Sequence, residues 1–229
     1  MIRTNTTNAP LPRDFHVEPF DEVNRRVAAI PNRPNPEWEH FGTAWNTVAY
    51  RFTAAGRADD RFGEAYRRGD RARQELSLFA FLSAACSAVE CGAYAIYAIG
   101  AILEPKAFPM LVEPKRKDIK LGSTVKRLER QYPGDPLPDL IRRIRHDRVW
   151  LELVDWRDVE IHRGTPASSH SLATLGAPPP PNFWRMGIHR GDDVPLGSEM
   201  THDKRKWLAR TLNELVAEVD RFLTRRGIA

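Results

Sequence analysis

The amino-acid sequence predicts an all-α fold, most simply an antiparallel bundle of four to five main helices. Apolar residues recur at spacings of three and four in several long segments, which is the period of one helix face. No segment shows the strict alternation of apolar and polar residues that is typical of a half-buried strand. Prolines and glycines cluster between the periodic segments, where they favour an extended N-terminal arm and a long loop before the last helix.

The arm is predicted over residues 1–35, because residues 1–36 hold six prolines and leave room only for a short helix over 20–30. A strong helix then begins at Pro36, since proline suits the first helical position. Its apolar stripe comprises Trp38, Phe41, Trp45, Val48, Ala49 and Phe52. Residues 57–69 predict a polar helix or a helical connector. Everything after the arm, residues 36–229, is interpreted as a single helical bundle domain.

The most apolar segment runs from Asp70 to Glu104. Between Leu76 and Leu103 the only charged residue is Glu90, so a membrane-associated helix has to be weighed. Glu90 divides the segment into uncharged runs of fourteen and thirteen residues, each shorter than the roughly 18 residues expected of a membrane span. The many alanines and serines suit a helix that is buried on most sides in a bundle. The segment therefore predicts a central core helix and no membrane partner.

The second half of the chain predicts three more helical segments. A short basic helix over 123–132 is stopped by a Pro-Gly pair, and a helix over 136–163 carries a possible kink near Arg145–Arg148. The loop spans 165–199 and contains four consecutive prolines at 178–181. Thr201 is predicted to cap the final helix, whose apolar stripe is unbroken as far as Leu223.

Charge and cysteine content narrow the class of protein. The chain carries a formal charge of +5, and between Lys115 and Arg148 eleven Lys/Arg face five Asp/Glu. Such a block suits a phosphate backbone or another acidic partner, and it is equally typical of a solvated basic face. Cys86 and Cys91 point in different directions on one helix, and two ligands are too few for zinc. With a polar N-terminus, these features predict a reduced, cytoplasmic protein.

One motif suggests chemistry. In WRDVEIHRG, residues 156–164, Arg157 and His162 stand five apart, so on an ideal helix they point roughly 140° from each other. Arg157-Asp158-Val159-Glu160-Ile161-His162 resembles the signature of HEPN domains, in which an arginine and a polar residue precede a histidine by a short spacer. The context is also similar, since the motif ends a late helix and an amphipathic helix closes the chain. The resemblance covers about residues 70–225.

The resemblance implies a metal-independent endoribonuclease that works as a homodimer and needs no cofactor. Two antiparallel copies about a two-fold axis can bring both arginines and both histidines around one cleft, although one helix alone cannot easily do so. The resemblance further implies a role as a toxin or defence effector, with RNA as substrate and with a possible cognate inhibitor or partner protein.

The residue types fit that reaction. RNA supplies its own nucleophile, the 2′-hydroxyl, so no metal-activated water is required. His162 in a last helical turn suits proton donation, and Arg157 can stabilise the charge on the phosphorane. Asp158, four residues before His162, could orient the imidazole or hold Arg157. Arg163 is a candidate phosphate contact.

Two other interpretations stay open at this stage. The motif can consist of surface ion pairs on a polar helix face. Asp158 stands where many HEPN members carry asparagine, which leaves room for a non-catalytic HEPN module that binds RNA or a protein as a helical dimer. The remaining histidines that could approach a site, His146, His170, His189 and His202, are expected to be solvated.

Overall fold

A computed structural model describes residues 14–31, 34–110, 118–162, 167–169, 183–185, 193–195, 197 and 199–228, without the side chains of 35, of 159–162 and of the short strands. The described residues confirm the all-α fold and form seven helices. They are α1 (Val17–Ala29), α2 (Asn35–Arg67), α3 (Arg71–Leu103), α4 (Leu121–Gln131), α5 (Pro136–His146), α6 (Arg148–His162) and α7 (Glu199–Arg225).

Helix boundaries differ from the sequence-based expectations at three places. The predicted helix at Pro36 and the polar segment after it form one continuous helix, α2. The predicted kink near Arg145–Arg148 is a complete break, because Asp147 adopts extended angles of φ −66° and ψ 135° between α5 and α6. The expected cap at Thr201 is wrong, since α7 already begins at Glu199.

Three strands of three residues each lie in the segment predicted as a long loop. They are β1 (Ala167–Ser169), β2 (Phe183–Arg185) and β3 (Asp193–Pro195), and they form an antiparallel sheet in the order β1-β2-β3. Ser168 pairs with Trp184, and Trp184 pairs with Val194. Strands this short are too brief to show the alternation by which a strand is recognised in a sequence.

The chain divides into two compact units. The first comprises the described parts of Met1–Thr53, Ser87–Asp147 and Leu208–Ala229. In its core the Trp45 ring stacks on Phe20 with centroids 4.7 Å apart, and the Trp45 indole N–H donates to the Phe20 carbonyl over 3.0 Å. Helix α1, within the predicted arm, is therefore packed onto α2. Thr124 joins α4 to α3 by donating to the Ala93 carbonyl over 3.3 Å.

The second unit comprises the described parts of Ala54–Cys86 and Arg148–Trp207. It contains α6 with the Arg157 motif, the short sheet and the first turns of α7. Its core includes Phe62 of α2, Leu78 and Phe81 of α3, and Trp150, Leu153 and Trp156 of α6, all of them buried. The spacing of three between the buried α6 residues sets the inward face of that helix.

Helix α3 has the length and composition of a membrane span, but its packing is that of a core helix. Of its most apolar 18-residue window, 61% is buried within the structure. In the first unit a Cβ added at Gly92 would lie 3.0 Å from Leu215, and one added at Gly100 would lie 2.6 Å from the Phe108 ring. Close approach of neighbouring side chains at these glycines supports the core-helix interpretation. Both cysteines of α3 are free thiols.

Candidate functional site

The candidate site lies on the last turns of α6. Trp156, 5% exposed, is the last buried residue of α6 whose side chain the structure describes, and the next residue in the chain stands at the edge of that buried face. Arg157 occupies that edge with a side chain that is 21% exposed, and the side chain of Asp158 is 51% exposed. The sequence pattern thus delivers a guanidinium group to the border between core and solvent, where it can still meet a ligand.

Arg157 and Asp158 contact each other. The Nε and Nη2 atoms of Arg157 each lie 3.2 Å from the same oxygen, Oδ1 of Asp158. Of the two roles that the sequence allowed for Asp158, this geometry supports holding Arg157. The pair is adjacent in the chain and Asp158 is half exposed, so the contact orients the guanidinium and contributes little to stability.

His162 is the last residue of α6, which agrees with the helix stop expected just before Gly164. Its side chain lies outside the described residues, and so does all of Arg163. The helix therefore carries Arg157 and His162 about 7.5 Å apart along its axis, the rise of five helical residues. Asp158 and His162 are one helical turn apart, on the same side of α6.

Lys204 of α7 is a cation beside α6 that the sequence did not indicate. Its ammonium group lies 4.2 Å from the centroid of the Trp156 ring and 2.9 Å from Oε2 of Glu152. Both contacts are favourable for a lysine held against the inward edge of a helix. Burial raises the pKa of the Glu152 carboxyl, but the bonds from Lys204 and Arg148 outweigh it and leave the pKa below its usual value. Lys204 therefore contacts Trp156, the residue before Arg157 in the chain, and its charge is paired with that of Glu152.

A buried carboxylate fixes the first turns of α7 in the same unit. Asp59, 6% exposed, accepts from the Thr201 hydroxyl over 2.7 Å and lies 3.3 Å from Nδ1 of His202. Arg205 adds a guanidinium N–H at 3.4 Å. Thr201 thus uses its hydroxyl on Asp59 rather than as a helix cap. A carboxylate at a helix N-terminus is also favoured by the helix dipole.

The other histidines differ in their contacts and exposure. The side chain of His202 is 43% exposed, and its Nδ1 also lies 3.3 Å from Oδ2 of Asp59, a contact with a distant carboxylate that the sequence did not indicate. His146 ends α5 and is exposed, as expected. His170 and His189 lie outside the described residues. Among the described residues, no group of three or more His, Cys, Asp or Glu is arranged to hold a metal ion.

Comparison with known proteins adds no family assignment. No protein-family model matches the chain, and no match is found among curated proteins or among solved structures.

Proposed function

We propose that this chain is a metal-independent endoribonuclease of the HEPN type, with Arg157 and His162 as its catalytic groups. The observation that carries the proposal is the placement of Arg157 at the edge of the buried face of α6, oriented by Asp158, with His162 ending the same helix. An ordinary surface ion pair does not require the arginine to be four-fifths buried, whereas a group that must be presented in one orientation gains from it.

The reaction follows from these groups. The 2′-hydroxyl of the ribose gives up its proton to water and attacks the adjacent phosphorus, and the bond from phosphorus to the 5′-oxygen of the next nucleotide breaks. The products are a 2′,3′-cyclic phosphate and a free 5′-hydroxyl. Arg157 donates its N–H groups to the phosphorane oxygens, where negative charge develops. His162 gives a proton to the leaving 5′-oxygen, and Arg163 contacts a neighbouring phosphate.

Asp158 acts as a positioning residue in this scheme. It accepts two N–H groups of Arg157 and so limits the rotation of the guanidinium before substrate binds. Lys204 packs against Trp156 at the same end of α6, where its ammonium group is paired with the Glu152 carboxylate.

The proposed enzyme is a homodimer in the cytoplasm, where it acts as a toxin or defence effector under the control of a cognate inhibitor or partner protein. Two copies are needed because Arg157 and His162 point apart on one helix, and a two-fold axis lets the two pairs face one scissile phosphate. Light scattering after size-exclusion chromatography should return a dimer at micromolar concentration. A strict monomer at that concentration would contradict the proposed site.

Two single substitutions test the chemistry. Arg157→Ala and His162→Ala should each lower RNA cleavage at least about 100-fold in buffer containing a chelator, because each removes a transition-state interaction. Circular dichroism should remain that of the wild-type chain. Arg148→Ala is the matched control, since Arg148 lies on the same helix with a side chain that is 87% exposed and is paired with Glu152. It should cleave RNA at the wild-type rate.

The possible outcomes separate the candidate functions. Activity that survives in both variants, or that disappears only with the chelator, would show that the residues or the chemistry are wrong. A wild-type chain that shifts RNA in a gel without degrading it would instead identify a non-catalytic HEPN module.

A further inference from the structure

Helices α4 and α5 form an antiparallel hairpin with a strongly basic outer surface. Arg142 of α5 is bonded to Glu129 of α4, and a Cβ added at Gly122 would lie 3.2 Å from the guanidinium carbon of Arg145. Because 129 pairs with 142 and 122 lies beside 145, the two helices run in opposite directions. The absence of a side chain at Gly122 is what allows the Arg145 guanidinium to lie against α4.

Three cations follow one another along this surface, and we call Lys126, Arg130 and Arg145 the basic row. With Arg145 lying at Gly122, the positions on α4 are 122, 126 and 130, each four residues and about 6 Å from the next. All three side chains belong to exposed residues. Within the described part of the chain, no carboxylate lies within salt-bridge distance of any of them. The row therefore presents its full charge to solvent.

Arg142, on the same hairpin, differs from the basic row because its charge is neutralised by carboxylates. It is bonded to both Glu129 and Asp139, and these carboxylates raise the pKa of its guanidinium. The two acidic side chains of the hairpin's outer face are thus occupied by one arginine. Within the hairpin, residues 121–146, the positive charge that no carboxylate pairs is therefore concentrated on a few exposed groups.

We propose that the basic row binds consecutive phosphates of single-stranded RNA, an inference that rests on the proposed ribonuclease function and adds a substrate-binding surface to it. The choice of partner follows from what the hairpin lacks among the described residues. The large hydrophobic side chains that they expose are Val17, Tyr50, Leu76 and Phe79, all outside the hairpin. A protein interface needs buried aromatic or aliphatic anchors, and a membrane-surface helix needs an apolar face to insert. Phosphate binding needs only exposed cations.

The test measures how salt affects binding to RNA that cannot be cleaved. The full chain is titrated against a fluorescent 2′-O-methyl RNA oligonucleotide, which lacks the nucleophilic hydroxyl, at several salt concentrations. The triple variant Lys126→Gln, Arg130→Gln, Arg145→Gln should bind more weakly. The slope of log affinity against log salt should become shallower by about 2, since each lost phosphate contact removes roughly 0.7 for a single strand.

A second triple variant controls for net charge alone. Arg57, Arg61 and Arg210 are exposed residues outside the hairpin, and their replacement by glutamine removes the same formal charge. This control should keep the wild-type salt slope. Equal slopes in the two triple variants, or no binding of the oligonucleotide by the wild-type chain, would overturn the inference. The inference would also be overturned if the basic-row variant lost binding to anionic vesicles but bound RNA as the wild type does. That result would point to a lipid surface as the partner.

The inference and the proposed function fail in distinguishable ways. If Arg157→Ala and His162→Ala abolish cleavage but the basic-row variant keeps the wild-type salt slope, the nuclease stands and the basic row is wrong. If the slope changes but cleavage is indifferent to those two substitutions, the surface binds RNA and the proposed catalytic residues are wrong.

Discussion

Two aspartates of this chain, Asp135 and Asp158, both bind arginine, yet they do different work. Asp135 precedes α5 with a side chain that is 3% exposed, and it accepts from Arg225 over 2.8 and 3.1 Å and from Arg226 over 2.9 Å. It also caps α5 by accepting the Leu137 N–H over 3.0 Å. Asp158 is 51% exposed and its described bonds go to a single neighbour, Arg157.

The difference shows that an aspartate–arginine pair can either stabilise the fold or orient a functional side chain, and that the burial of the pair decides which. Both oxygens of the Asp135 carboxylate accept hydrogen bonds, so removal of this side chain leaves several donors without an acceptor. Around Asp158 solvent reaches the pair, so its contribution to stability is small and its main effect is on the direction of Arg157. A site that must bind a phosphate needs the second arrangement.

The largest expected effect concerns Asp135. Asp135→Ala should lower the free energy of unfolding by about 3 kcal/mol, since it removes a buried carboxylate from two arginines and deletes a helix cap. Urea denaturation monitored by circular dichroism measures this loss. Asp139→Ala is the control, because Asp139 lies on the same helix with a side chain that is 68% exposed. A comparable loss in both variants would remove the contrast between buried and exposed pairs.

The pH dependence of stability sharpens the same contrast. Burial raises the pKa of Asp135, but the bonds from Arg225, the Leu137 N–H and Arg226 outweigh it, so the pKa lies below the ordinary 3.8. Stability from this group is therefore complete above about pH 4 and is lost as the pH falls through the lowered folded-state pKa. The free energy of unfolding of the wild type minus that of Asp135→Asn should shrink below that pH. A difference that stays constant down to about pH 2 would contradict the proposed ionisation of Asp135.

The smallest effect on stability is expected at Asp158. Asp158→Ala and Asp158→Asn should both change the free energy of unfolding by less than about 0.5 kcal/mol. In the proposed ribonuclease, Asp158→Ala should lower kcat about tenfold with KM nearly unchanged, because a charge-assisted hydrogen bond that orients Arg157 is lost. Asp158→Asn keeps an acceptor oxygen and should restore most of the rate. Equal activity in the alanine variant and the wild type would remove the positioning role.

Much of the helical architecture could be predicted from local patterns. The apolar stripes at three- and four-residue spacing located α3 and the stripe of α7, and a proline-rich turn separated α4 from α5. The continuity of α2 was missed because its second half looks polar. A signal was available there, since the buried Ala55, Ala58, Phe62 and Ala65 repeat at the same spacing. Small residues weaken such a stripe without abolishing it.

The candidate site was only partly predictable. The motif placed Arg157 near the end of a helix, and its pairing with Asp158 was one of two options that the spacing allowed. Lys204 and the cluster around Asp59 were not foreseen, because they join residues about 50 and 140 positions apart. Periodicity reports which face of a helix is buried, but it carries no information on which other helix lies against that face.

By itself, the sequence determined the all-α fold and the Arg157-to-His162 motif and indicated a kink near Arg145–Arg148, because each depends on interactions within a few residues along the chain. Only the tertiary structure decided which charged residues formed buried ion pairs and which remained exposed to solvent. Asp135 became an anchor when Arg225, 90 residues away, was brought against it, whereas Lys126 and Arg130 were left facing solvent. Desolvation is the physical reason, since the strength of an ion pair depends on how much water the surrounding chain excludes.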